Sequence, residues 1–130
     1  MKNALVIGIN DYPGTQNDLS GCVNDAKDWG EALKARGFNV RALLNREATG
    51  ANIKQAIREL LQKAVPGDVI VIQYSGHGSY VIDKNGDESD GRDECLCPYD
   101  IDNGFLVDDD LDKIFQAAPP NVRIVLILSL

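Results

Sequence analysis

Along this chain, unbroken apolar runs alternate with stretches in which apolar residues recur at intervals of three and four. Ala4-Leu5-Val6-Ile7-Gly8-Ile9 carries no polar side chain, as expected of a strand covered on both faces. Leu19, Val23, Ala26, Trp29 and Leu33 then trace one face of a helix, with Asn17, Asp18 or Ser20 available as its cap and Gly37 as its stop. Phe38 to Leu44 reads as a second strand at a sheet edge, because Asn39 and Arg41 alternate with apolar neighbours. Thr49 opens a second helix whose apolar face is Ile53, Ile57, Leu60 and Ala64, and Pro66-Gly67 closes it. Val69 to Tyr74 is a third strand. A long polar segment follows, then a short helix over Leu111 to Ala117, then Pro119-Pro120 and a fourth strand over Ile124 to Leu128.

This order predicts an α/β fold: a mostly parallel sheet of four strands with helices on both faces, in a single domain spanning 1–130. In such sheets, ligands and reacting groups collect at the carboxyl ends of the strands. Here that edge carries the loop after Ile9, the turn after Tyr74, and whatever follows Leu128.

Composition narrows the function classes. The chain has 130 residues, 44% of them hydrophobic, which suits a packed soluble core. A net charge of −7 with no basic stripe argues against nucleic acid as a partner. The first apolar run is too short to span a membrane and has no cleavage signal after it, so no membrane role and a cytoplasmic location are expected. Three cysteines without a disulfide-framework spacing fit a reducing compartment. Twelve of the twenty acidic residues lie between Asp83 and Asp112, against two basic ones, for a local charge of −10.

One histidine is available for chemistry, His77, just past the third strand and flanked by Gly76 and Gly78. Imidazole titrates near working pH, and the flanking glycines let a substrate backbone come close. Cys22 with His77 invites a catalytic pairing, yet a cysteine on a helix face near Val23 reads more simply as a small buried hydrophobe. Cys95 and Cys97 lack enough partners for zinc and fit one face of a short strand. Asp83 to Glu94 has the length of an EF-hand loop, but its sixth position is Glu88 where that motif requires glycine. Gly8-Ile9-Asn10 is not followed by the glycines of a phosphate loop.

Tyr74-Ser75-Gly76-His77-Gly78 after an apolar strand resembles the catalytic-histidine motif of the caspase and metacaspase family of cysteine peptidases. Three more stretches resemble the metacaspase branch in the same order. They are ALVIGINDY (Ala4 to Tyr12), LSGCVNDA (Leu19 to Ala26), and the acidic DESDGRDECLCPYD (Asp87 to Asp100) followed by Val107 to Leu111. The resemblance implies an endopeptidase cutting after arginine or lysine, with His77 as the base of a Cys–His dyad. It implies a substrate pocket around Asp25 and Ser75, with Cys22 and Gly76 beside it. Asp25 is also a favourable charge early in a helix, and Ser75 also an ordinary turn residue. No cofactor is required for that chemistry; the resemblance implies a calcium site from Asp93, Asp108 and Asp109, against which stands a plain solvated acidic loop.

The departure from the family is at the fourth strand. There the family continues into Asp-Ser-Cys-His-Ser-Gly, whereas this sequence reads Ser129-Leu130. The chain alone is therefore expected to be inactive, with a truncated parent favoured over a true pseudoenzyme. The expected partners are a basic peptide substrate, the missing C-terminal portion, and further copies through an uncovered sheet edge. The competing reading is a non-catalytic module that binds calcium or basic peptides.

Overall fold

The computed structural model describes residues 1–10, 21–76, 78–82, 92–100 and 106–129, with the backbone alone for 78–82, 92–95 and 106–110. Its centre is a parallel four-stranded sheet in the order β2-β1-β3-β7, formed by β1 (Lys2–Gly8), β2 (Asn39–Leu44), β3 (Val69–Ser75) and β7 (Arg123–Ser129). The apolar runs β1 and β3 take the two inner positions because only there are both faces of a strand covered. Polar-alternating β2 takes one edge, as its pattern predicts.

The helices α2 (Gly50–Lys63) and α3 (Asp108–Phe115) cover one face, where Ile53, Ile57, Leu61, Leu111 and Ile114 pack on Leu5, Ile7, Ile70, Ile72 and Tyr74. On the other face lies α1 (Cys22–Ala35), whose Ala26 and Leu33 pack on Ala4, Val6 and Val71. Thr49 caps α2 as expected: its hydroxyl accepts from the Asn52 amide at 3.2 Å. The buried positions of that helix are Ile53, Ala56, Ile57 and Leu61, so the face runs through Leu61 and leaves Leu60 half-buried.

Helix α1 departs from expectation at its start. Asn17, Asp18 and Ser20 lie outside the described residues, and the helix begins at Cys22 behind Gly21, which has φ 89° and gives no side-chain cap. The capping group comes instead from the loop after β1. Asn10 Oδ1 accepts from the amides of Cys22 (2.8 Å) and Val23 (3.1 Å). The inward face is Ala26, Gly30 and Leu33, which turns Trp29 outward at 37% exposure.

The acidic segment holds what the hydrophobic pattern misses. Strands β4 (Gly78–Ile82), β5 (Arg92–Leu96) and β6 (Leu106–Val107) form a second, antiparallel sheet. Cys95 lies in β5, but Cys97 lies beyond its end and is buried, so the two do not share a strand face. Helix α3 begins at Asp108, three residues earlier than its apolar pattern indicates, because Asp108, Asp109 and Asp110 form its first turn. Carboxylates there are favoured by the unpaired amides of a helix N-terminus. Among the described residues no helix is long and apolar enough to cross a membrane.

Candidate active site

The carboxyl ends of β1, β3 and β7 meet at one edge, stitched together by backbone bonds just past the strands. The Ile9 amide donates to the Ser75 carbonyl at 3.0 Å, and the Gly76 amide donates to the Ser129 carbonyl at 3.2 Å. The register pairs Tyr74 with Leu128 and Ser75 with Ser129, so the tips of β3 and β7 end level. The two runs expected to be neighbours are neighbours. His77 lies outside the described residues. Gly76 on one side of it is tied to β7, and Gly78 on the other side pairs with Leu96 in the second sheet.

Ser75 is buried to 1% exposure on the α1 side of the sheet, and its hydroxyl donates to Asp25 Oδ2 at 3.1 Å. Asp25 is exposed in the first turn of α1. The serine thus fixes an exposed carboxylate near the carboxyl ends of the strands with lone pairs toward solvent, an arrangement suited to receiving a cationic side chain. Residues 50 apart in sequence form this pair, and both belong to the pocket that the motifs imply.

Close packing of α1 on β1 brings Asp25 within reach. A Cβ built on Gly8 would stand 2.6 Å from the Cys22 carbonyl oxygen and 2.8 Å from the Ala26 Cβ. Only glycine lets the first turn of α1 sit this close to the strand end. Cys22 is the first residue of α1 and half-buried, less enclosed than the buried position expected for it. Its amide is held by Asn10, whose own amide donates to Asn45 Oδ1 at 2.9 Å. Asn10 and Gly8 are therefore positioning residues that the sequence pattern did not single out. The available signal was a glycine and an asparagine at the end of the apolar run that starts at Ala4.

The end of the acidic segment is anchored to the same edge. Tyr74 Oη donates to the Cys97 carbonyl at 2.7 Å, the Tyr99 amide donates to the Ala48 carbonyl at 2.8 Å, and Asp100 Oδ1 accepts from the Gly50 amide at 2.8 Å. Asp100 thereby adds a carboxylate to the N-terminus of α2. Of the residues proposed for calcium, Asp93 lies in β5, paired with Val81, and Asp108 and Asp109 open α3. The pair Cys95–Val107 joins β5 to β6, and Asp108 follows directly, so the backbone brings the Asp93 and Asp108 segments to one end of the small sheet. No group of three metal-ligating side chains occurs among the described residues, and these three side chains fall outside them.

A family model described as metacaspase, peptidase C14 domain, matches residues 2–129. The chain is 39% identical to metacaspase-4 of Arabidopsis thaliana over 136 residues, covering 97% of this chain and 32% of that protein. It is 38% identical to metacaspase-1 of Meyerozyma guilliermondii, covering 95% of this chain and 33% of that protein. A crystal structure of a protein from Geobacter sulfurreducens superposes with a TM-score of 0.85 at 32% identity, over 98% of this chain and 49% of that one. The chain spans about a third of the length of these curated relatives.

Proposed function

The chain belongs to the metacaspase family, peptidase C14, and from that premise we propose that it is the histidine-bearing part of a cysteine endopeptidase that cuts after arginine or lysine. One observation carries the reading most directly: β7 lies beside β3 with their ends level and bonded through Gly76 and Ser129. A thiol on residues continuing from β7 would be presented next to the residue that follows Gly76.

In that arrangement His77 takes the thiol proton, and the thiolate attacks the scissile carbonyl carbon. The C–N bond then breaks, the leaving amine takes the proton from the imidazolium, and water hydrolyses the resulting thioester. Asp25, oriented by Ser75, pairs with the cationic side chain before the cut, and Gly76 leaves room for the substrate backbone. No cysteine follows Cys97 in the 130 residues, so the chain alone has no thiol at that place.

The test joins the chain to the segment of a relative that supplies the cysteine run and remaining strands, then measures cleavage of an arginine-ended fluorogenic peptide. Activity is expected, with His77→Ala reducing kcat by at least about a hundredfold and Asp25→Asn raising KM. Cleavage that survives His77→Ala defeats the proposal. For calcium, the support is that Asp93 and Asp108, residue types with hard oxygen donors, lie on backbone segments that meet at one end of the small sheet. Calorimetry showing no calcium binding at millimolar metal removes that part alone.

A second reading has its own support, since the Ser75–Asp25 pair is fully formed without any thiol. Such a chain would hold basic peptides without cutting them. Silence of the joined protein, together with binding of an arginine-ended peptide that Asp25→Asn abolishes, would select it.

A further inference from the structure

His77 stands between two glycines, Gly76 and Gly78, which lend the chain on either side of it little stiffness. An imidazole that is to meet a thiol and a scissile bond within about 0.5 Å needs its place fixed by neighbouring groups. Three links hold the residues around it. The Gly76 amide donates to the Ser129 carbonyl at 3.2 Å. Gly78 pairs with Leu96 in the second sheet. The third link is the Tyr74 hydroxyl, which donates to the carbonyl of Cys97, the residue after Leu96, at 2.7 Å.

The last two links close a circuit. From Tyr74 the chain runs through Ser75, Gly76 and His77 to Gly78, crosses to Leu96, passes to Cys97 and returns through the hydroxyl to Tyr74. The returning bond is buried, with Tyr74 at 0% and Cys97 at 2% exposure, so water does not compete for it. The chain beyond Cys97 is fixed as well: the Tyr99 amide donates to the Ala48 carbonyl, and Asp100 accepts from the Gly50 amide. Removing the hydroxyl therefore leaves that stretch tied to the start of α2 while deleting a link between the end of β5 and the end of β3.

We propose that Tyr74 is a positioning residue for His77, its hydroxyl closing the circuit that holds the imidazole at the end of β3. The effect on turnover rests on the peptidase reading; the effect on the imidazole's placement does not. Successive residues of a strand face opposite sides. Tyr74 packs in the core on the α2 side, whereas Ser75 faces α1 and holds Asp25. The two neighbouring hydroxyls thus serve separate tasks, Tyr74 the base and Ser75 the pocket.

His77 is the only histidine of the 130 residues, so its imidazole signals in an NMR spectrum have no rivals. In the unaltered chain they are expected away from free-peptide positions and to report a rigid side chain. Tyr74→Phe removes one oxygen and keeps the aromatic ring. It should move these signals toward free-peptide values, while the methyl signals of Val6 and Leu33, in the cluster on the other face, stay in place. Ser75→Ala should leave the histidine signals unmoved. In the joined protein Tyr74→Phe should lower kcat at least about tenfold at unchanged KM, and Ser75→Ala should raise KM. Should Tyr74→Phe fail to fold, the unaltered chain decides, since a hydroxyl proton held in the core exchanges slowly with water. A Tyr74 hydroxyl in fast exchange overturns the proposal. So do histidine signals indifferent to Tyr74→Phe, or ones that move only together with those of Leu33. An unchanged kcat in a joined protein that His77→Ala silences overturns it too, with the peptidase reading left standing. An inactive joined protein whose histidine signals still respond to Tyr74→Phe counts against the peptidase reading and supports the positioning role.

Discussion

Gln73 is the least comfortable residue in the core, and replacing it should stabilise the protein. It stands in β3 between Ile72 and Tyr74 with no exposed surface, on the α1 side with Val71 and Ser75, and its register neighbours are Val6 and Ile127. Neither its amide oxygen nor its amide nitrogen has a hydrogen-bond partner among the described residues. A buried polar group left unpaired costs about 1–3 kcal/mol; taking about 1–2 kcal/mol for each of the two atoms, which share one amide, places the penalty near 2–4 kcal/mol. Gln73→Met keeps the length and volume while removing both, and repacking of a volume-conserving change costs under about 1.5 kcal/mol. The expected net gain is about 1–3 kcal/mol. For a chain of 130 residues this corresponds to a melting temperature raised by roughly 3–10 °C. Urea melts should show the midpoint shifted upward at unchanged slope. Gln73→Glu is expected to shift the other way, because it buries a charge in the same place. A Gln73→Met protein less stable than the parent by more than about 1 kcal/mol would refute the reasoning, since it would mean the amide is satisfied after all.

Other expectations follow from single contacts. Gly8→Ala forces a methyl within 2.6 Å of the Cys22 carbonyl oxygen, so it should cost about 1–3 kcal/mol in urea melts and displace Asp25 from Ser75. Gly30→Ala should do the reverse: a Cβ there meets Val40 and Val6 at 3.6 and 3.8 Å, ordinary contact distances, and gains about 0.5–1 kcal/mol of helix propensity. Asp68 is held below the usual carboxylate range by a hydrogen bond from the Met1 ammonium and another from the Val65 amide. A lowered folded-state pKa means its stabilisation is present above the unfolded carboxylate value of about 3.9 and fades as the pH falls through the folded value. Melts between pH 7 and 2 should therefore show a loss on the acid side that Asp68→Asn removes; identical acid slopes for the two proteins would contradict this.

How much was legible in the residues themselves depended on the range of the interaction. Unbroken apolar runs around Leu5 and Ile70 marked strands buried on both faces, and the spacing of Ile53 and Ile57 marked a helix face, because periods of two and 3.6 are local properties. The parallel sheet follows from such patterns, whereas the reading of His77 comes from the resemblance of Tyr74 to Gly78 to a family motif. The cap of α1 was misplaced because its partner, Asn10, lies 12 residues away from Cys22 in sequence, beyond the reach of any local capping rule. The second sheet was missed because β4 follows the glycines around His77 and β5 is dominated by charged residues, with an acidic stretch between them in sequence, so their pairing is a matter of contact and not of pattern. The bond between Ser75 and Asp25, and the lack of a partner for the Gln73 amide among the described residues, likewise exist only once the strands have taken their order. Residue types and their periods determined which elements form and what chemistry they carry. Which groups meet, and which are left unpaired, was decided by tertiary packing, because those contacts join parts of the chain that sequence distance keeps apart.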